Sequence, residues 1–168
     1  MKKPAVRYAV IALVITFVWI IIEHLAGWNT TRHDIGQYTR MLPMTMFWVL
    51  IFVGVNQSRG ERTVYPFNEA LRDGMIMSLI FCAGFTLMIA LYQKFMNPEF
   101  FETLKAYTIQ EMTRANKTQA EIDKAMSEME MSFNGSVVSF FMLFVFSFVM
   151  SMIVSLIAAA VYRIRVKS

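Results

Sequence analysis

One cysteine, Cys82, leaves no intramolecular disulfide framework and no cysteine-built zinc site. Charge is scarce as well: 17% of the 168 residues are Asp, Glu, Lys or Arg, against 57% hydrophobic. A soluble domain of this length exposes too much surface for so few charges, whereas a bilayer supplies an apolar exterior. Also missing are a glycine-rich phosphate loop, an HExxH pattern and paired carboxylates inside an apolar run. No nucleophile, base and orienting group converge in the pattern, so a non-enzymatic protein without cofactor is the expectation. The net charge of +4 does not indicate nucleic acid as a partner. Lys2, Lys3, Arg7, Arg59, Arg62, Arg72, Arg163, Arg165 and Lys167 all sit at the ends of apolar runs, where positive charge reads as a topology signal.

What the chain does have is apolar length. Runs of about 18 or more apolar residues span a bilayer as helices, and the sequence predicts four spans, at about 6–28, 40–57, 68–94 and 135–162. The first follows a short basic stretch, as a signal peptide would, but the small-residue cleavage pattern around Ala26 is poor and an uncleaved helix is expected. The second has only fifteen residues, Met41 to Val55, without a strong polar group, about 22 Å at the helical rise. That is short for a hydrocarbon core of about 30 Å, so Arg40 and Asn56 to Ser58 must extend it, with Pro43 tolerated in the first turn. Asn68 is a plausible cap for the third span, and Arg72 is expected to pair with Glu69 or Asp73.

Between the third and fourth spans lies a hydrophilic stretch, 97–134. Asn97, Pro98 and Glu99 form a helix-start signal, and Thr118 with Glu121 a capping box. They predict helices over Pro98–Ala115 and Gln119–Phe133, the second with Ile122, Ala125, Met126, Met129 and Phe133 on one face. The pair reads as an amphipathic hairpin. The fold class expected is therefore all-α: a single four-helix integral membrane bundle over 1–168 with an extracytoplasmic hairpin between helices three and four. The basic ends place both termini in the cytoplasm.

Small residues recur every fourth position along the third span, at Ala70, Gly74, Ser78, Cys82, Thr86 and Ala90, and along the fourth at Ser147, Ser151 and Ser155. In lipid, helices gain nothing by hiding oil from oil, so a small-residue stripe that lets backbones approach marks a helix–helix seam. The two stripes are expected to face each other. Serines in such positions also have the alternative of bonding to their own backbone.

Chemistry-bearing residues are few. Glu23 and His24 lie about one turn below Trp28, at a shallow depth; Glu23 is expected to pair with Arg40 or Arg32, the alternative being a proton-coupled or ligand-binding carboxylate. Met41, Met44 and Met46 share the spacing MxxMxM with Met126, Met129 and Met131, and His24 and His33 lie toward the same side. Thioethers suit Cu(I), yet methionine also fills irregular apolar gaps without any metal.

The opening MKKPAVRYAV, the block IEHLAGWNTTRHDIGQYTR, the segment FNEALRDGM and the segment YQKFMNPEF together resemble the bacterial domain-of-unknown-function 4199 family across nearly the whole chain. The resemblance implies a small four-helix inner-membrane protein and lends no catalytic residues. The function expected is that of an accessory protein whose partners are the lipid bilayer and a membrane protein, a periplasmic protein or a second copy. The alternative is a small transporter or a Cu(I)-handling protein.

Overall fold

A computed structural model describes residues 4–133 and 135–163, apart from the side chains of residues 131–133. Lys2, Lys3, Arg165 and Lys167, four of the charges that set the expected orientation, lie outside it. The helices are α1 (Pro4–Leu25), α2 (His33–Thr39), α3 (Leu42–Arg59), α4 (Phe67–Leu91), α5 (Phe100–Arg114), α6 (Gln119–Phe133) and α7 (Val137–Tyr162), with a π-helical turn, Tyr92–Met96, closing α4. Four stretches are long and apolar enough to cross a membrane: Pro4–Leu25, His33–Arg59, Phe67–Met96 and Val137–Tyr162. Large apolar side chains such as Phe17, Leu79, Leu87 and Ile153 point outward, as a lipid-facing girdle requires. The protein is an all-α membrane bundle.

The second span corrects the sequence reading. Much of the connection expected at Asn29–Thr39 is helical, and α2 leads into α3 through two residues that keep helical dihedrals, Arg40 and Met41. The backbone N–H of Arg40 still donates to the Gly36 carbonyl and that of Thr45 to the Met41 carbonyl. The extra turns supply the length that fifteen apolar residues lacked, and Pro43 sits in the first turn of α3, where its missing N–H costs little. Two expected caps also move. Helix α4 starts at Phe67 with Pro66 as its flanking residue, so Asn68 lies inside the first turn and caps nothing. Helix α5 starts at Phe100, two residues later than expected, because the Asn97 side chain is engaged elsewhere. At the end of the bundle where α1 begins and α7 stops, Arg62 takes Glu69 at 3.2 Å and the buried Tyr65 hydroxyl donates to Asp73 at 3.0 Å, which displaces the pairing expected for Arg72.

In the membrane part, α4 packs along α7, α1 packs on both α3 and α4, and α3 also meets α7, closing a ring α1, α3, α7, α4. Small residues permit each close approach. Ala5, Ala9, Ala12 and Thr16 form a buried stripe on α1. A Cβ on Gly54 would press on Met77, one on Gly84 on Leu13, and one on Gly74 on Ser155 at 2.8 Å. Across the α4–α7 seam, Ser78 and Ser155 hydroxyls lie 3.2 Å apart and Cys82 Sγ lies 3.8 Å from Ser151 Oγ. These serines also bond along their own helices: Ser78 donates to the Gly74 carbonyl, Ser155 to that of Ser151 and Ser147 to that of Phe144. Both readings of the stripe hold together, since a hydroxyl satisfied locally can sit at a dry contact without cost. Higher up, Thr86 and Ala90 are only part-buried.

The pair α5–α6 caps the other end. Ser136 caps α7 by accepting from the Ser139 N–H, and Lys105 ties α5 to Glu130 of α6. The capping box at the start of α6 is complete: Glu121 accepts from the Thr118 N–H at 2.9 Å, and Thr118 Oγ1 accepts from the Glu121 N–H. That bond, with Lys117 beside it, brings the Glu121 carboxyl down to about 2.

Two outcomes are expected. Gly74→Leu drives a side chain into the Ser155 Cβ and hydroxyl and lowers the thermal midpoint in detergent, at a cost of about 1–3 kcal/mol or more; an unchanged midpoint would mean that α4 and α7 do not touch there. Because the folded Glu121 carboxyl titrates below its unfolded value of 4.5, its contribution is full above that value and is lost as the pH falls from about 4.5 toward 2. Hydrogen exchange over α6, corrected for intrinsic rate, should show protection declining across that window, and Glu121→Gln should flatten the profile.

Candidate functional site

The polar chemistry of the chain gathers where α1, α2 and the π turn meet beneath the hairpin. It begins with a turn. Gly27, at φ +76°, reverses the chain after α1, and its carbonyl accepts from the N–H groups of Thr30, Thr31 and Arg32. The loop then lies directly on α2: a Cβ at Gly36 would sit 2.0 Å from the Trp28 carbonyl oxygen, so only glycine fits. That approach carries Asn29 between two charges. Its Nδ2 donates to Glu23 Oε2 at 3.0 Å, and its Oδ1 accepts from Arg40 Nε at 3.2 Å. Glu23 and Arg40 are therefore joined through an amide and not by the direct ion pair expected from sequence; among the described residues no ion pair involves Glu23, Arg32 or Arg40.

The remaining bonds extend the network into every neighbouring element. Thr39 Oγ1 donates to Glu23 Oε1, and Trp19 Nε1 donates to the Thr39 carbonyl. Arg40 Nη2 donates to His33 Nδ1 at 3.0 Å, and the other ring nitrogen of His33 meets Thr103 Oγ1 of α5 at 3.0 Å. The first bond requires an unprotonated Nδ1, which leaves Nε2–H as the donor to Thr103. Arg40 also lies over the Phe100 ring at 5.1 Å. On the other side, Asn97 Nδ2 donates to the Asn29 carbonyl at 2.8 Å and to the Tyr92 hydroxyl at 3.1 Å, which in turn meets His24 Nδ1 at 3.1 Å. The π turn builds this corner, its Asn97 N–H reaching the Tyr92 carbonyl five residues back; such turns are frequent at functional sites.

Below the network the helices part and leave a cavity of about 540 Å³, within the range of small-ligand sites. Glu23, Asn29, Arg40, Tyr92 and Gln93 form its polar part. Its apolar walls come from Ile20, Pro43, Phe85, Ile89 and Phe100, and from Phe140, Leu143 and Phe146 of α7. Met142 and Phe146 line it although they are 59% and 69% exposed, so they form its rim. Phe146 lies about 13 Å along α7 from Val137 at the helical rise, so the rim lies well within a stretch apolar enough to cross a membrane.

Of the residues singled out in the sequence, Glu23, Arg40 and His24 thus belong to one network. The methionines do not join it. Met44 packs on the core while Met41 and Met46 are exposed. On the hairpin, Met126 is buried, Met129 is half-buried and the Met131 side chain lies outside the described residues. Sequence reasoning missed Asn29, Thr39 and Tyr92, and gave Asn97 a capping role. The one available signal was the clustering of amides beside the ends of two spans.

Replacing Asn29 with Leu strips one acceptor from Arg40 and one donor from Glu23, both buried or half-buried. Glu23 keeps Thr39 and Arg40 keeps His33, so the loss is that of two hydrogen bonds to charged groups, about 1.5–3 kcal/mol each. The unfolding midpoint of Asn29→Leu in detergent should fall by several degrees or more; a wild-type midpoint would mean that water replaces the amide at both ends.

No curated protein and no solved structure matches the chain. A family model does, over residues 7–163, nearly the whole length, and it takes in the polar network, the cavity and all but the first three residues of the four spanning stretches. The chain belongs to the family described as Protein of unknown function (DUF4199).

Proposed function

We infer that this is a non-enzymatic accessory protein of a bacterial cytoplasmic membrane, with both termini in the cytoplasm and the α5–α6 pair outside, and that it binds a membrane amphiphile. The orientation rests on the basic residues at the terminal end, Arg7, Arg59, Arg62, Arg72 and Arg163. The observation that carries the binding role is the cavity itself: charged and hydrogen-bonding groups at one end, aromatic walls, and an exposed apolar rim within a stretch apolar enough to cross a membrane. A polar ligand from water would not meet an apolar rim, and a pure hydrocarbon would leave the Arg40 and Glu23 end unmatched. An amphiphile entering sideways from the bilayer satisfies both ends.

Glu23 and Arg40 serve as binding groups here and not as acid and base. Each is already held by neutral hydrogen-bond partners that fix its orientation.

The test is linkage between lipid and stability. Protein stripped of lipid in a mild non-ionic detergent should gain thermal stability on adding back bilayer phospholipid, by about 2.7 kcal/mol when lipid reaches about 100 times its dissociation constant. Leu143→Trp, which fills the apolar part of the cavity, should abolish the gain. An equal gain in that variant would place lipid binding on the outer surface and overturn the reading.

A further inference from the structure

The cavity holds two opposite charges that do not touch. Glu23 and Arg40 both line it, and Asn29 keeps them apart with one bond to each. Opposite charges in a poorly solvated site gain most by direct contact, so a site that separates them presents each to something else. Both have capacity left. A carboxylate accepts at about four lone-pair positions, and Glu23 uses one bond per oxygen, from Asn29 and Thr39. A guanidinium carries five N–H donors, and Arg40 commits Nε to Asn29 and one Nη2 hydrogen to His33, leaving Nη1 with no protein acceptor among the described residues. The Phe100 face beneath the guanidinium holds its plane in place.

Charge complementarity then selects the ligand. A head carrying only an anion is drawn to Arg40 but repelled by Glu23; a head carrying only a cation meets the reverse. A zwitterion matches both. The cation must also be an N–H donor, because the spare capacity of Glu23 is that of a hydrogen-bond acceptor. A quaternary ammonium has no N–H to give and is bulkier, so it matches the charge and fails the bond.

Resting on the amphiphile-binding reading above, we propose that the cavity binds a zwitterionic phospholipid with a primary ammonium, its phosphate on Arg40, its ammonium on Glu23 and one acyl chain between α4 and α7. The phosphate accepts from Nη1 of Arg40 in the geometry that arginine offers to oxyanions. The ammonium donates to the Glu23 carboxylate, and the chain lies along Phe85, Ile89 and Leu143 toward the Phe146 rim.

The full-length protein, purified in a mild non-ionic detergent, is titrated with phosphatidylethanolamine, its N-methyl and N,N-dimethyl forms, phosphatidylcholine and phosphatidylglycerol, all with the same acyl chains, and bound lipid is counted by native mass spectrometry. Phosphatidylethanolamine is expected to bind about tenfold or more tightly than phosphatidylcholine or phosphatidylglycerol, with affinity falling stepwise as methyl groups replace N–H donors. Glu23→Gln should remove the preference over phosphatidylcholine, and Arg40→Gln should weaken phosphatidylethanolamine and phosphatidylglycerol alike by about tenfold. The headgroup series needs no variant, so the proposal stays testable if either substitution fails to fold. Equal binding of all five lipids, or preference for phosphatidylglycerol, overturns this headgroup assignment and leaves amphiphile binding standing. Absence of any bound lipid overturns both.

Discussion

The contact on which the rest of the structure depends is the one between Gly74 and Ser155. In lipid, two apolar helices gain little by meeting unless their backbones come close enough for dispersion and short polar contacts to accumulate. Here the approach leaves no room for even a methyl group on Gly74, and it is continued by Ser78 against Ser155 and Cys82 against Ser151. Above Cys82 the fit ends. Thr86 and Ala90 are part-buried, the Thr86 hydroxyl lies buried without a partner among the described residues, and the cavity opens at the level of Phe85 and Ile89. A seam tight at one end and open at the other has the shape of a clothes peg: the stripe that binds the helices also fixes where they separate.

The open end is held in shape by polar bonds. Glu23, Asn29, Arg40, His33 and Thr103 form a chain from α1 through the loop and α2 to the hairpin. A second branch runs from Asn29 through Asn97 to Tyr92 and His24. Because each member has a partner, the network is the kind that specifies one arrangement and tolerates few others. It also couples the hairpin to the bundle, since Phe100 and Thr103 of α5 are the residues that Arg40 and His33 touch. Outside it, the α5–α6 pair is tied to α2 by the bond from Gln37 Nε2 to the Tyr107 hydroxyl at 3.4 Å.

The sequence showed the spans because length and hydropathy carry that signal directly, and the fourfold stripe showed which faces of α4 and α7 are smooth, because small residues in lipid have one main use. It did not show α2, whose residues His33 to Thr39 are mostly polar and carry no clear helical period; Gly36 there docks under the Trp28 carbonyl, a tertiary contact that local pattern does not reveal. Nor did it show the site. Glu23 and Arg40 were visible as charges near span ends, but their geometry is set by Asn29, whose placement depends on the same Gly36 approach. The Asn97 signal was read correctly as a helix start nearby and wrongly as a cap, because a side chain that can bond locally was recruited by a partner 68 positions away.

The π turn at Tyr92–Met96 has a consequence best stated as phase. A π turn adds one residue to a helical turn, so it advances the sequence by one position relative to the surface that the helix presents. Along α4 that surface carries Phe85, Ile89 and Tyr92, and an uninterrupted α-helix would bring Met96 round next. With the extra residue, Asn97 arrives in its place: it is 5% exposed and bonded to Tyr92, while Met96 is 43% exposed. One inserted residue thus exchanges a thioether for an amide at the rim of the polar network. The chemistry of that corner is written in the count of residues in a turn as much as in their identities.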